Sequence, residues 1–185
     1  VLATLNPTGR SAAANAILSV FGQEFAPAGT AVVNAELDAS GKVATRLANT
    51  CVEMNGERSP LFAVLPGQIN FQAPHQLRGT AGPVALRVSR DCGLPSESRG
   101  NTEMVDVAAV APGFFVFPQF GGAEGRNPIA TLHGGGPDVV APRGLFADTT
   151  QQKFFPAKAG DFVSLFATGL GETDPPFDAG AIPGT

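Results

Sequence analysis

The chain has 185 residues, a net charge of −4, 43% hydrophobic residues, and 23 Gly with 16 Pro. That hydrophobic share is too high for a disordered chain, and the evenly spread Gly and Pro cut it into the short segments of an all-β sandwich. The acidic balance, with no Lys/Arg cluster, argues against nucleic acid, and nothing approaches the ~18 apolar residues of a membrane span.

In chain order, residues 1–6 carry neither a basic start nor a long apolar run, as in a mature chain after cleavage or a piece of a longer one. Residues 15–22 are apolar with β-branched and aromatic side chains and predict a buried strand. Residues 31–37 and 42–47 predict weaker strands around an Asp38-Ala39-Ser40-Gly41 turn. Residues 51–54 alternate, Asn55-Gly56 is the pair favoured in type I′ turns, and residues 57–64 are expected to return as the second arm of a hairpin. After Pro66-Gly67, residues 68–72 alternate strictly, with Ile69 and Phe71 on one face and Gln68, Asn70 and Gln72 on the other. Residues 84–88 form another alternating strand, 93–101 a polar loop, and 103–110 a further strand that breaks at Ala111-Pro112-Gly113. Beyond it, 114–117, 128–133 and 161–168 read as strands and 169–185 as a Gly/Pro/Asp-rich tail. No segment carries a convincing helical period.

One strand pattern occurs twice. Ile17-Leu18-Ser19-Val20-Phe21-Gly22 returns as Phe162-Val163-Ser164-Leu165-Phe166-Ala167, offset by 145 residues. Such an offset fits one domain giving way to another, so the expected modules are 1–111 and 112–185, the second apparently incomplete. The 14 Phe, without Trp or Tyr, are expected in the cores, because Phe offers no polar edge for a ligand.

Two cysteines, Cys51 and Cys92, follow or precede predicted strands. In a Gly/Pro-rich β chain they fit one disulfide in an oxidising compartment, and two buried thiols are the alternative. The Gln68/Asn70/Gln72 row is polar yet uncharged, either a binding face or a solvated or interdomain strand face. Glu172, Asp174 and Asp178 fall within seven residues, a composition that calcium favours in extracellular modules. Their spacing matches no EF-hand, and a solvated acidic loop is the simpler reading. His133-Gly134-Gly135-Gly136 matches an oxyanion-hole motif of some lipases, but no serine sits in a Gly-x-Ser-x-Gly elbow, so a glycine turn after a strand is expected.

Residues 65–74, Leu-Pro-Gly-Gln-Ile-Asn-Phe-Gln-Ala-Pro, resemble the signature of an uncharacterised Ig-like C-terminal domain family. Its members end large secreted bacterial proteins, notably acidobacterial ones. The pattern continues in Asn15-Ala16 to Ser19-Val20-Phe21-Gly22, in Val52 to Gly56, in Pro60-Leu61-Phe62, in Ala111 to Phe115, and in Phe166 to Gly171. The resemblance covers nearly the whole chain and implies tandem Ig-like β-sandwich modules, a secreted or surface-attached protein, and no established activity. Two features depart from it: the loop at residues 90–101 is longer, and the chain ends where the family adds further strands.

An incomplete sandwich leaves strand edges open for pairing. Two readings of it stand side by side. In one, a strand of a neighbouring copy completes it, with Val1, Leu2, Ala3, Thr4 and Leu5 as the donor. In the other, the chain is a fragment of a longer protein. The expectation is an extracellular or cell-surface protein without catalytic residues or cofactor, pairing with other copies of itself or other domains of its polypeptide. The alternative is a carbohydrate-binding module that takes a glycan on Gln68, Asn70 and Gln72.

Overall fold

The computed structural model describes residues 11–27, 29–115, 130–132, 138–141 and 153–182. The protein is all-β. In order the strands are β1 (Ser11–Ala12), β2 (Ile17–Phe21), β3 (Val33–Asn34), β4 (Cys51–Met54), β5 (Glu57–Arg58), β6 (Leu61–Val64), β7 (Gln68–Gln72), β8 (Gly82–Arg90) and β9 (Ser98–Val107). They continue as β10 (Gly113–Phe114), β11 (Ala130–Leu132), β12 (Val139–Val140), β13 (Phe154–Phe155), β14 (Val163–Leu165) and β15 (Ala167–Thr168). A 3-10 turn at His75–Leu77 is the one helical element among the described residues.

Two compact units are present. One comprises the residues up to Gly113 together with those from Gly169 onward, the other Phe114–Thr168. In the first unit a five-stranded sheet, β1-β9-β8-β4-β5, faces a four-stranded sheet, β2-β7-β6-β3. Strand alternation decides the core: Leu18, Val20, Ile69 and Phe71 from one sheet join Val52, Met54, Leu86 and Val105 from the other in a single buried cluster. Phe71 is fully buried, and losing such a side chain costs about 3–5 kcal/mol. No other Phe among the described residues is as deeply buried. Phe114, Phe155, Phe162, Phe166 and Phe177 are exposed, so the expectation of Phe-filled cores holds only in part.

The Asn55-Gly56 pair makes the predicted turn, with φ of 53° and 83°, and joins β4 to β5. Residues 57–64 do not run on as one hairpin arm. The strand breaks at Ser59-Pro60, and β6 crosses to the opposite sheet, where it pairs with β7 and β3. Pro60 lacks an N–H and so cannot continue the ladder to β4, but its carbonyl accepts the Gln72 N–H at 2.9 Å. Residues 31–37 and 42–47 make less strand than expected: β3 holds two residues, and isolated bridges pair Leu37 with Val43 and Leu47 with Thr50.

The tail also departs from the expected 111/112 division, which placed it in the second module. From Gly169 onward it packs with the first unit. The Ala111 N–H donates to the Gly169 carbonyl at 2.8 Å, and the Val43 N–H to the Gly180 carbonyl at 2.9 Å. Gly169 has φ +71°, and a Cβ there would stand inside the van der Waals radius of the Ala111 carbonyl oxygen. Only glycine fits this return point.

In the second unit the described strands form a sheet β13-β12-β11-β14, and β10 pairs with β15. β11 runs antiparallel to β14, with Thr131 opposite Ser164, and β12 runs parallel to β13.

Candidate functional site

The disulfide joins the first residue of β4 to the turn after β8. Cys51 and Cys92 are bonded, with their Cα atoms 5.9 Å apart. β4 and β8 are neighbours, with Cys51 opposite Ser89, and the Cys92 N–H donates to the Asn49 carbonyl at 2.9 Å. The bridge closes a separation of 41 residues, which in the chain-entropy treatment is worth about 4 kcal/mol.

The amide row lies on the face of β7 turned away from the core, and all three side chains are half-buried. Asn70 Oδ1 accepts from Ser19 Oγ at 2.6 Å and from Gln68 Nε2 at 2.7 Å. Gln72 Nε2 donates to the Asn15 carbonyl at 3.3 Å, and its Oε1 accepts the Gly180 N–H at 2.7 Å. Each amide is therefore engaged within the chain. Asn70 satisfies Ser19, which is otherwise a buried hydroxyl in an apolar strand, and Gln72 anchors the tail.

The acidic residues of the tail are spread along it rather than gathered. The Glu172 carboxylate pairs with Arg78. Asp178 pairs with Lys42 Nζ at 2.8 Å and lies 3.5 Å from His75 Nε2, while the His75 Nδ1 accepts the Ala179 N–H at 3.2 Å. The hydrogen bond from Lys42, then the Lys42 charge and the His75 charge, hold the Asp178 carboxyl below the usual range. Asp174 is exposed on the turn between them. Among the described residues no group of three or more His, Cys, Asp or Glu is placed to hold a metal ion; Glu172 and Asp178 instead anchor the strap separately, through Arg78 and Lys42.

The other feature is the outer side of β9. β9 has β8 on one side, while on its outer side, among the described residues, β1 pairs in parallel with Asp106 and Val107. The Ala108 N–H donates to the Ala12 carbonyl at 2.9 Å. By alternation, Asp106, Met104 and Thr102 turn their N–H and C=O groups the same way. Above Thr102 the ladder to β8 shifts register between Arg87 and Ser89, and Gly100 passes so close to the Val88 carbonyl that a Cβ would lie 3.1 Å from its oxygen. This bulge twists the far end of the edge. Thr102 to Val105 is thus regular edge with no partner strand among the described residues.

β2 is an edge strand of the opposite sheet. Between the two edges runs a groove of 190 Å³, with the buried Val20, Leu86 and Val88 at its depth and Arg99 and Glu103 at its rim. Glu97, next to that rim, accepts the Gly93 N–H and pairs with Arg99 at 2.8 Å; these two contacts lower its carboxyl below the usual range, the backbone hydrogen bond first.

Sequence reasoning found the two cysteines and the amide row. It missed the strap and the β9 edge, although Gly169 and Gly171 at the end of a strand were a signal for the first. Val1 to Leu5 and His133 to Gly136 lie outside the described residues. No helix of the described residues is long and apolar enough to cross a membrane. Scans against protein-family models, curated proteins and solved structures found no match for this chain.

Proposed function

We propose that this chain is a secreted, non-enzymatic protein of tandem Ig-like sandwiches, a surface, adhesive or filament-forming component assembled by strand exchange between copies. The observation that carries this reading is the β9 edge from Thr102 to Val105, which has no partner strand among the described residues, beside a groove with Val20, Leu86 and Val88 at its depth. An extended strand added there gains main-chain hydrogen bonds and places alternate side chains in the groove. The Cys51–Cys92 bridge supports an oxidising compartment. The carbohydrate-binding alternative gains nothing from the amide row, because Asn70 and Gln72 are engaged with Ser19 and the strap.

Thr102→Pro tests the reading, since its N–H points out of the sheet and its loss leaves the ladder to β8 intact. Electron microscopy and sedimentation of the wild-type chain are expected to show ordered assemblies that the variant does not form, at an unchanged melting temperature. A wild-type chain that stays monomeric and featureless at micromolar concentration overturns it.

A further inference from the structure

We infer that the outer face of the β1-β9-β8-β4-β5 sheet binds a single carboxylate group on the Arg87 guanidinium. Leu86 and Val88 turn into the core, and alternation turns Arg87, between them, to the other face. Register fills the row across it. Arg58 stands opposite Glu53, Glu53 opposite Arg87, and Arg87 opposite Thr102. Further along β8, Ser89 stands opposite Arg99, so Arg99 and its partner Glu97 border the same row. Arg58, Arg87 and Arg99 are spread along the chain, and only strand pairing makes them neighbours. Their fields overlap. After the Gly93 hydrogen bond and Arg99, the Arg58 charge also lowers the Glu97 carboxyl, and after Glu97 the Glu53 charge also raises the Arg99 guanidinium.

Four of these five charges are paired: Glu53 with Arg58 at 4.0 Å, and Glu97 with Arg99 at 2.8 Å. Arg87 is the fifth. Its side chain has no hydrogen-bond or ion-pair partner among the described residues, and its Nε is enclosed without an acceptor. Its neighbours along β8 on this face are Ala85 and Ser89, and the flank away from Glu53 is the neutral, exposed Thr102.

A half-buried guanidinium has lost part of its hydration, and an enclosed N–H without an acceptor leaves that loss unrecovered. An anion on the two outer nitrogens of the fork recovers it, in the side-by-side geometry that matches the two oxygens of a carboxylate. Three Arg against two Glu leave a net charge of +1 on the row. That suits one singly charged group. A sulfate dianion, or a run of acidic groups, would also meet the Glu53 and Glu97 charges. This site is independent of strand exchange at β9.

The test is titration of the full chain at constant ionic strength, followed through the Arg87 Nε–H and the Thr102 amide in proton–nitrogen NMR spectra. Acetate is expected to move both signals saturably, with half-saturation on the order of 10 mM, and chloride to leave them in place. Glucuronate and N-acetylglycine distinguish a sugar acid from a peptide carboxylate, and tighter binding than acetate by either one supports the inference and names the source. Arg87→Gln is expected to weaken acetate at least tenfold, read at the Thr102 amide, because the charge-assisted pair is lost. Arg87→Lys is expected to fall between Arg87→Gln and the parent, since a point charge replaces the fork. Glu53→Gln removes a competing anion and is expected to tighten acetate at least threefold. These positions lie outside the core, so an unchanged melt shows that each variant folds. Signals that ignore acetate up to about 200 mM, an Arg87→Gln chain that binds acetate like its parent, or sulfate binding more tightly than acetate overturn the inference.

Discussion

Residues 17–21, which form β2, and 162–166, which contain β14, share one five-residue pattern, apolar-apolar-Ser-apolar-Phe, and end in different surroundings. In β2 the two central apolar side chains vanish under the opposing sheet, and the Ser19 hydroxyl is satisfied by Asn70 on the neighbouring strand. In β14 the matching side chains face outward at a sheet edge. Local pattern decides which side chains share a face, through the two-residue period of a strand. Whether the face is buried depends on a second layer, and that layer comes from residues far away in the chain.

The largest expected difference between the two strands is in stability. Leu18→Ala removes a fully packed side chain and is expected to cost about 3 kcal/mol in chemical denaturation, whereas Val163→Ala, made at concentrations where the chain is monomeric, is expected to cost under ~0.5 kcal/mol. Equal losses would break the comparison, since they would mean that β14 is packed as firmly as β2.

A smaller effect is expected at Gly169, where the chain leaves the second unit's strands and begins its return as the strap. Gly169→Ala meets both a left-handed backbone and the Ala111 carbonyl, and is expected to cost about 2 kcal/mol. The cost falls on strap docking, so limited proteolysis should cut the variant within residues 170–182 at least tenfold faster than the parent. An unchanged cutting rate would show that the strap does not depend on this turn.

The smallest effect is the pH dependence of the same strap. Asp178 has a lowered pKa in the folded protein through Lys42, so its contribution is fully present above the ordinary carboxylate pKa and is lost as pH falls through the lower folded value. Strap docking is expected to be insensitive to this group from pH 5 to 8 and to loosen below about pH 4. Hydrogen exchange at the Ala179 and Gly180 amides, which donate to His75 and Gln72, reads this directly. Lys42→Met should remove that acid-dependent loosening. If it persists undiminished, the pairing of Asp178 with Lys42 does not underlie it.

Much of the first sandwich was legible from local signals. Asn55-Gly56 announces its turn because both residues tolerate positive φ, and the alternation of residues 68–72 announces the buried Ile69 and Phe71. The candidate site was legible in its components and not in its arrangement. The Gln72 amide looks like a surface polar group until the Gly180 N–H arrives from 108 residues away, and Glu172 and Asp178 look like one acidic cluster until Arg78 and Lys42 draw them apart. Residues 57–64 read as one strand because nothing local says that Pro60 hands the chain to the other sheet.

The sequence by itself determined the all-β class, the turn positions and which side chains share each strand face, because these follow from backbone sterics and a period of two residues. It also supplied the two cysteines, but their approach to bonding distance came from the pairing of β4 with β8. The tertiary structure alone decided that the tail straps the first unit, that β9 has no partner strand from Thr102 to Val105 among the described residues, and that one copy of the repeated strand is covered while the other is not. Those outcomes rest on contacts between residues far apart in the chain. Their free energy depends on what each face meets, which no local pattern encodes.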